Sequence, residues 1–154
     1  MKPSTLLLVI AFLGCASGGP ATSPEVTISQ ASKVAPVRLA ELPVDPTAPP
    51  SEAHGVPVDF EIKVTNPFDY PVSLTSLEVE TVGDSGAYSM RRVRHAFSVT
   101  INPKSSAVLP IRAWVHPLQA TDTGDVNGPV TVHGIASFAS EAGVTKTRFA
   151  ARVQ

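Results

Sequence analysis

Apolar and polar residues alternate with a period of two in a series of short segments that begins at Val56. In the first segment every second residue from Val58 to Val64 is apolar, and the residues between them are charged. Such alternation predicts a strand with one face buried in a sheet. The pattern recurs in five later segments, at 72–79, 97–101, 109–115, 130–138 and 149–153.

Turn-forming residues separate these segments, and no window shows a capped helical stripe. Turn signals are found at Asn66 to Pro71, at Asn127-Gly128 and at Glu141-Ala142-Gly143. Near Thr75 and Ser76 the apolar phase flips, which predicts a β-bulge or a break in the strand. Short strands at roughly ten-residue spacing predict an all-β fold, an antiparallel immunoglobulin- or fibronectin-like β-sandwich of six to eight strands.

The beginning of the chain has a different pattern. Lys2 precedes an apolar run from Leu6 to Leu13. A run of about eight residues is far too short to span a bilayer, which needs roughly 20, and is typical of the h-region of a secretory signal. The alternative is a buried N-terminal strand or helix, but glycines and small residues follow at once without a continuing pattern.

The residues that end this run are more specific. Phe12-Leu13-Gly14-Cys15 resembles the lipobox of bacterial lipoproteins, although Phe12 departs from the usual Leu. The resemblance implies a signal peptide at 1–14 and a lipid-modified Cys15 carrying acyl chains such as palmitate. Two or three such chains hold a protein stably at a bilayer. Ala16 and Ser17 follow in place of the Asp that resembles an inner-membrane retention signal, which favours the outer membrane in a cell with two membranes.

A tether is predicted at 15–52 and the folded domain at 53–154. Residues 16–22 are small and polar, and residues 35–52 are rich in proline. An extended proline-rich segment would hold the domain tens of ångströms from the bilayer. A first edge strand could still lie at Val26 and Ile28 or at Val37 and Leu39, since proline is tolerated at sheet edges.

Charge argues against a nucleic-acid partner. The formal net charge of the chain is −1, and from residue 53 onward nine Lys and Arg balance nine Asp and Glu. Binders of nucleic acid carry a basic face and a high pI. The same neutrality argues against electrostatic attachment to anionic lipid, which leaves the anchor at Cys15 as the means of membrane attachment.

Arg91, Arg92 and Arg94 form the densest local charge in the chain. They are a candidate contact for an anion or a partner, since guanidinium groups bind phosphate and carboxylate groups. The alternative is a solvated loop or edge strand, neutralised by acidic residues nearby in the sequence such as Glu78 and Glu80. The single tryptophan, Trp114, is expected to pack in the core; the other interpretation is an exposed binding aromatic.

No catalytic, cofactor or metal motif is found. The four histidines are widely spaced, and the single cysteine rules out both a disulfide within the chain and a Cys-rich metal site. Gly83-Asp84-Ser85-Gly86 is superficially similar to a motif of trypsin-like proteases, but the chain is too short for that double barrel. We therefore expect a non-enzymatic protein with no cofactor and no metal.

A family resemblance covers most of residues 56–154. Val64-Thr65-Asn66-Pro67 followed by the apolar 72–79 segment resembles the group-2 late-embryogenesis-abundant (WHy) domain, whose hallmark is a strand that ends in Asn-Pro-Asn. Residues 101–111 and 132–138 are similar to its later strands, while Phe68 replaces the second Asn. The resemblance implies a fibronectin-like sandwich without catalytic residues, acting in protection or binding. From the residues alone, Asn66-Pro67 is a turn former.

These observations predict a lipid-anchored, non-catalytic protein of the cell envelope. Its sandwich would bind or scaffold an envelope protein or a glycan. The alternative is a stress- or desiccation-protective role, and a small hydrolase is a remote third interpretation.

Overall fold

The computed structural model describes residues 23–46, 48, 54–82, 86–118, 123–124 and 126–153. These residues form ten strands and one short 3-10 helix at Leu39–Glu41. In chain order the strands are β1 (Glu25–Gln30), β2 (Val37–Arg38), β3 (Val56–Thr65), β4 (Val72–Thr81), β5 (Tyr88–Met90), β6 (Val93–Ile101), β7 (Ser106–Pro117), β8 (Thr123–Gly124), β9 (Val130–Ser140) and β10 (Gly143–Val153).

Eight of the described strands make two antiparallel four-stranded sheets, so the predicted β-sandwich is confirmed. The first sheet has the order β1-β3-β7-β5, and the second has the order β10-β9-β4-β6. The remaining pair, β2 and β8, forms a two-stranded ribbon outside both sheets. β5 and β6 are consecutive in the chain yet lie in different sheets, so residues 91–92 cross between them at one edge of the sandwich.

The alternating apolar residues fill the space between the sheets. The apolar residues of β3 from Val58 to Val64 are fully buried, while Glu61 and Lys63 between them are exposed. The largest fully buried side chains are those of Tyr88, Phe60, Phe138, Ile62, Leu74 and Leu77. Burial of a side chain of this size stabilises the fold by about 1.5–3 kcal/mol, so this layer supplies the main driving force.

The predicted bulge in β4 is confirmed. The pairing register shifts between Leu74 and Ser76 against both neighbouring strands. Thr75 is exposed there, and its hydroxyl donates to the carbonyl of Ser137 at 3.0 Å. Leu77 then resumes the inward direction, which is why the apolar phase flips in the sequence.

Two turns depend on a left-handed backbone. Lys104 has a φ of 52° in the turn between β6 and β7. Its ammonium group donates to the carbonyl of Pro67 at 2.7 Å, which ties this turn to the loop between β3 and β4. Gly143 has a φ of 114° in the β9–β10 hairpin and meets nothing within 4 Å at its Cβ position. The hairpin predicted at Glu141-Ala142-Gly143 is therefore present.

The predicted start of the domain at residue 53 is too late, and the edge strand that the sequence left open at Val26 and Ile28 is present, because β1 pairs with β3 in the first sheet. Val26 and Ile28 of β1 are buried opposite Val64 and Ile62 of β3. The expectation of an extended spacer at 35–52 is also wrong for its described part, because Val37 and Leu42 pack against the core.

Asn127 fixes the segment that follows β1. Its side-chain amide donates to the carbonyl of Val34 at 2.8 Å, and its side-chain oxygen accepts from the Val34 N–H at 2.8 Å. The side-chain amide thus binds the N–H and the carbonyl of Val34 as a neighbouring strand would. These two bonds hold the segment after β1 against the sandwich.

Candidate functional site

The arginine run lies where the chain crosses between the sheets. Arg91 and Arg92 follow the last residue of β5, and Arg94 is the second residue of β6. β5 is an edge strand of the first sheet and β6 is an edge strand of the second. The three guanidinium groups are therefore presented along one edge of the sandwich.

Two of these arginines face carboxylates on β4. Arg92 donates from Nε and Nη2 to the two carboxylate oxygens of Glu80, at 3.1 and 2.6 Å. Arg94 Nε lies 3.9 Å from Glu78 Oε1. The hydrogen bond with Glu80, followed by its charge, raises the pKa of Arg92. Exposed pairs of this kind are weak, so they orient the guanidinium groups more than they stabilise the fold.

A cleft of about 250 Å³ adjoins the run and is lined by Asp45, Arg91, Arg92, Val93, Arg94 and Trp114. Asp45 is buried, with 4% of its surface exposed. The cleft combines a flat indole, guanidinium donors and a carboxylate. Charged groups make up most of its lining, so the cleft suits a charged or polar ligand group, and it is smaller than most small-molecule sites.

The expected core position of Trp114 is wrong. Its neighbours Ala113 and Val115 on β7 are buried, so the alternation of the strand turns Trp114 to the outer face of the first sheet. There it is half-buried, across from Pro57 on β3. The residue thus lines the cleft.

A second groove, of about 190 Å³, runs over β4, β9 and β10, and Arg92, His133, Arg148 and Phe149 are among its lining residues. Gly134 matters here because a Cβ at this position would overlap the ring of Phe149 and lie 2.9 Å from the Glu78 carbonyl oxygen. The missing side chain leaves room for the aromatic ring on the neighbouring strand.

The sequence pattern did not single out three exposed cations on β10. Lys146, Arg148 and Arg152 all occupy outward positions of this edge strand. They escape a search for charge runs because apolar and small residues separate them. The three positions are separated by two and four residues, and residues separated by an even number along a strand lie on the same face. That separation is the signal that would have grouped them.

The histidines do not assemble a metal centre among the residues that the structure describes. His116 Nδ1 lies 2.7 Å from the His54 carbonyl, to which it donates, and its Nε2 lies 4.0 Å from Asp45 Oδ2. No group of three or more potential ligands is found within the described part of the chain. His95 is half-buried on β6, and burial lowers the pKa of its imidazole. His133 is exposed on β9.

Asn66 is committed to the fold. It is fully buried, and its Nδ2 lies within 3.1 Å of the carbonyl oxygens of Tyr70, Ile101 and Asn102. Its Oδ1 accepts from the Phe68 N–H at 3.0 Å. The side chain therefore closes the turn after β3, as predicted from the residues.

Two sequence predictions lie outside the described residues. They concern Cys15 with the signal peptide before it, and positions 83–85 of the protease-like motif. In the described ranges no helix is long and apolar enough to cross a membrane.

Comparisons with known proteins give similarity in solved structures only. No protein-family model matches the chain. No curated protein matches it either.

Three solved structures illustrate the level of similarity. The X-ray structure of a Northeast Structural Genomics Consortium target is 13% identical, with a TM-score of 0.49 over 85% of this chain and 84% of that one. A crystal structure of a protein from Archaeoglobus fulgidus is 11% identical, with a TM-score of 0.47 over 84% of this chain and 94% of that one. The solution structure of a protein assigned as late embryogenesis abundant (LEA) is 10% identical, with a TM-score of 0.45 over 85% and 71%. At these values the fold rests on the strand pairing described above, and no function is transferred.

Proposed function

We propose that this chain is exported, lipid-modified at Cys15 and anchored in the cell envelope, where its sandwich binds a partner without catalysis. The observation that carries the proposal is the order of residues at the start of the chain. An apolar run ends in Leu13-Gly14-Cys15, and the small Gly14 gives a peptidase access to the bond before the thiol. Cys15 is also the single cysteine of the chain, so no disulfide competes for it.

The position of β1 supports a domain held close to its anchor. Glu25 begins the sandwich ten positions after Cys15. A fully extended chain of ten residues spans at most about 36 Å. A lipid at Cys15 would therefore keep the sandwich within one domain diameter of the headgroups, which suits a protein that works at the membrane surface.

The cleft beside Trp114 supports the binding part of the proposal. Guanidinium groups recognise carboxylates and phosphates, and an indole face packs on apolar or sugar-ring surfaces. An acidic glycan or an acidic segment of an envelope protein would offer both. Binding there would have to compete with Glu80 for Arg92, with Glu78 for Arg94 and with an existing contact of Arg91, so the affinity of the site should be modest.

Lipid attachment is tested by intact mass and metabolic fatty-acid labelling. We expect the wild-type chain to lose residues 1–14, to gain the mass of a diacylglycerol and to partition with membranes. Cys15→Ala should abolish all three, whereas the neighbouring Ser17→Ala should behave as the wild type. An unmodified, membrane-free wild-type chain would refute the anchor.

The cleft is tested with purified full chain and fractionated envelope glycans and proteins. Trp114→Ala and the triple variant R91Q/R92Q/R94Q should each lower binding by about tenfold or more, as loss of a central aromatic or arginine contact does. Arg112→Gln is the matched control, because Arg112 is also exposed and also makes two hydrogen bonds to a carboxylate, that of Asp59. Equal binding by all variants would remove the cleft from the proposal.

A protective role is the second proposed function, and it is favoured by the resemblance of residues 64–79 to the WHy domain. It requires no specific partner. The purified chain should then preserve a labile enzyme through drying or freezing better than an equal mass of an unrelated β-sandwich. That protection should also survive R91Q/R92Q/R94Q, which separates it from the binding proposal.

A further inference from the structure

The domain is neutral overall, but the outer faces of its two sheets carry net charges of opposite sign. On the outer face of the second sheet, five cations accompany two carboxylates, for a net of +3: Arg92, Arg94, Lys146, Arg148, Arg152, Glu78 and Glu80. On the outer face of the first sheet, two cations accompany three carboxylates, for a net of −1: Lys63, Arg112, Glu25, Asp59 and Glu61. The strand pairing produces this separation, since alternate residues of each strand share a face.

The excess positive charge lies on β10. The two carboxylates of the second sheet lie on β4 and pair with the arginines at the β6 edge, although both also line the groove that Arg148 lines. Across from Lys146 and Arg148 on β9 stand Ser137 and Ile135, and across from Arg152 stands Thr131. Within the described ranges, none of the three β10 cations has an ion-pair or hydrogen-bond partner. They form an exposed row, the β10 cation row, that extends over roughly 20 Å of strand.

The β10 cation row lies on the side of the sandwich from which the N-terminal segment departs. β1 packs beside β10 at one open edge of the two sheets. Glu25, at the start of β1, pairs with Thr65 at the end of β3, from which the chain crosses to the start of β4. There Ser73 pairs with Ala139 of β9, and Ala139 in turn pairs with Val144 at the start of β10. The starts of β1 and β10 are therefore at the same end of the sandwich.

We propose that the β10 cation row docks the domain onto a bilayer leaflet that contains anionic phospholipid headgroups. This inference rests on the proposed anchoring at Cys15. Three unpaired charges on their own bind such a surface only weakly. A lipid anchor at most about 36 Å of chain away makes the contact intramolecular and raises the effective headgroup concentration around the row. The outer face of the first sheet, with Trp114, then points away from the membrane, and the cleft, which Arg92 and Arg94 also line, lies at the edge between the two faces.

The test uses the full chain with Cys15→Ser, so that its result does not depend on lipidation. Sedimentation is measured with vesicles of phosphatidylcholine, with and without phosphatidylglycerol, at low salt. We expect the anionic lipid to increase binding. K146Q/R148Q/R152Q should remove that increase, by on the order of 100-fold, because each Lys or Arg near an anionic surface contributes roughly fivefold.

K33Q/R38Q/K63Q is the matched control, since it changes the net charge equally at exposed positions away from the second sheet. It should retain binding to the anionic vesicles. An equal loss in both triple variants, equal binding to both kinds of vesicle, or β10-dependent binding of soluble polyphosphate without vesicle binding would each overturn the proposal. Because mass spectrometry of the wild type reports lipidation separately, failure of the anchor and failure of the docking row are distinguishable.

Discussion

Asn66 joins three parts of the chain at one end of the sandwich, and Asn66→Ala should remove a large part of the stability of the domain. Its amide group binds the carbonyls of Tyr70, Ile101 and Asn102, and its oxygen binds the N–H of Phe68. Alanine would leave these backbone groups without a partner where the protein admits little water. The loop after β3 and the end of β6 would both lose their common support.

The size of the effect can be worked from these bonds. Two amide hydrogens and one acceptor are satisfied, and each hydrogen bond contributes about 1 kcal/mol net. Buried groups left unpaired add a further penalty of about 1–3 kcal/mol, so the total loss should be about 4–6 kcal/mol. That is a large share of the roughly 5–15 kcal/mol that holds a domain of this size together.

Equilibrium urea unfolding of the full chain measures this loss. With a urea dependence of about 2 kcal/mol per molar, the midpoint should fall by about 2–3 M. Asn66→Asp should be at least as damaging, since a carboxylate oxygen would face the same three carbonyls. Asn102→Ala is the control, because this exposed residue uses only its backbone in the described contacts. A loss below about 1 kcal/mol for Asn66→Ala would refute the structural account of the motif.

Three further predictions concern the core. Tyr88→Phe should be neutral or stabilise the fold by up to about 1 kcal/mol in urea unfolding, because the buried hydroxyl has no hydrogen-bond partner among the described residues; a clear loss would contradict this. Burial lowers the pKa of His95, so the unfolded chain binds its proton more readily and stability should fall as the pH drops below about 6.5. His95→Leu should lose that component of the pH profile of unfolding, and an unchanged profile would count against it. Gly134→Ala should cost about 1–3 kcal/mol in thermal or urea unfolding through its overlap with Phe149. The cost should shrink in a Phe149→Ala background, and equal costs in both backgrounds would refute the steric explanation.

Sequence pattern located the strands well where each has one buried face. The alternation from Val58 to Val64 and the phase flip at Thr75 correspond directly to β3 and to the bulge in β4. The short strand β5 was missed, because three residues are too few to show a period. The sequence pattern alone does not decide whether β1 exists, because prolines on both sides of it resemble a tether.

The candidate site depended more on tertiary structure. The charges of Arg92 and Arg94 were visible in the sequence, but their pairing with Glu80 and Glu78 required β6 to lie beside β4. The place of Trp114 next to Arg91 required the chain to cross between sheets at that edge. The sequence indicated Glu78 and Glu80 as neutralising residues, but which arginine meets which carboxylate, and the place of Trp114 beside the run, depend on strand order.

The sequence by itself determined which side of each strand is buried, where the chain turns and the chemistry expected at Cys15. These are local properties, since side-chain alternation, proline and glycine act over a few residues. Only the tertiary structure decided which strands became neighbours, and with that the separation of charge between the two outer faces. Strand order and register depend on packing between residues far apart in the chain, so a domain with balanced charges could still assemble one basic face.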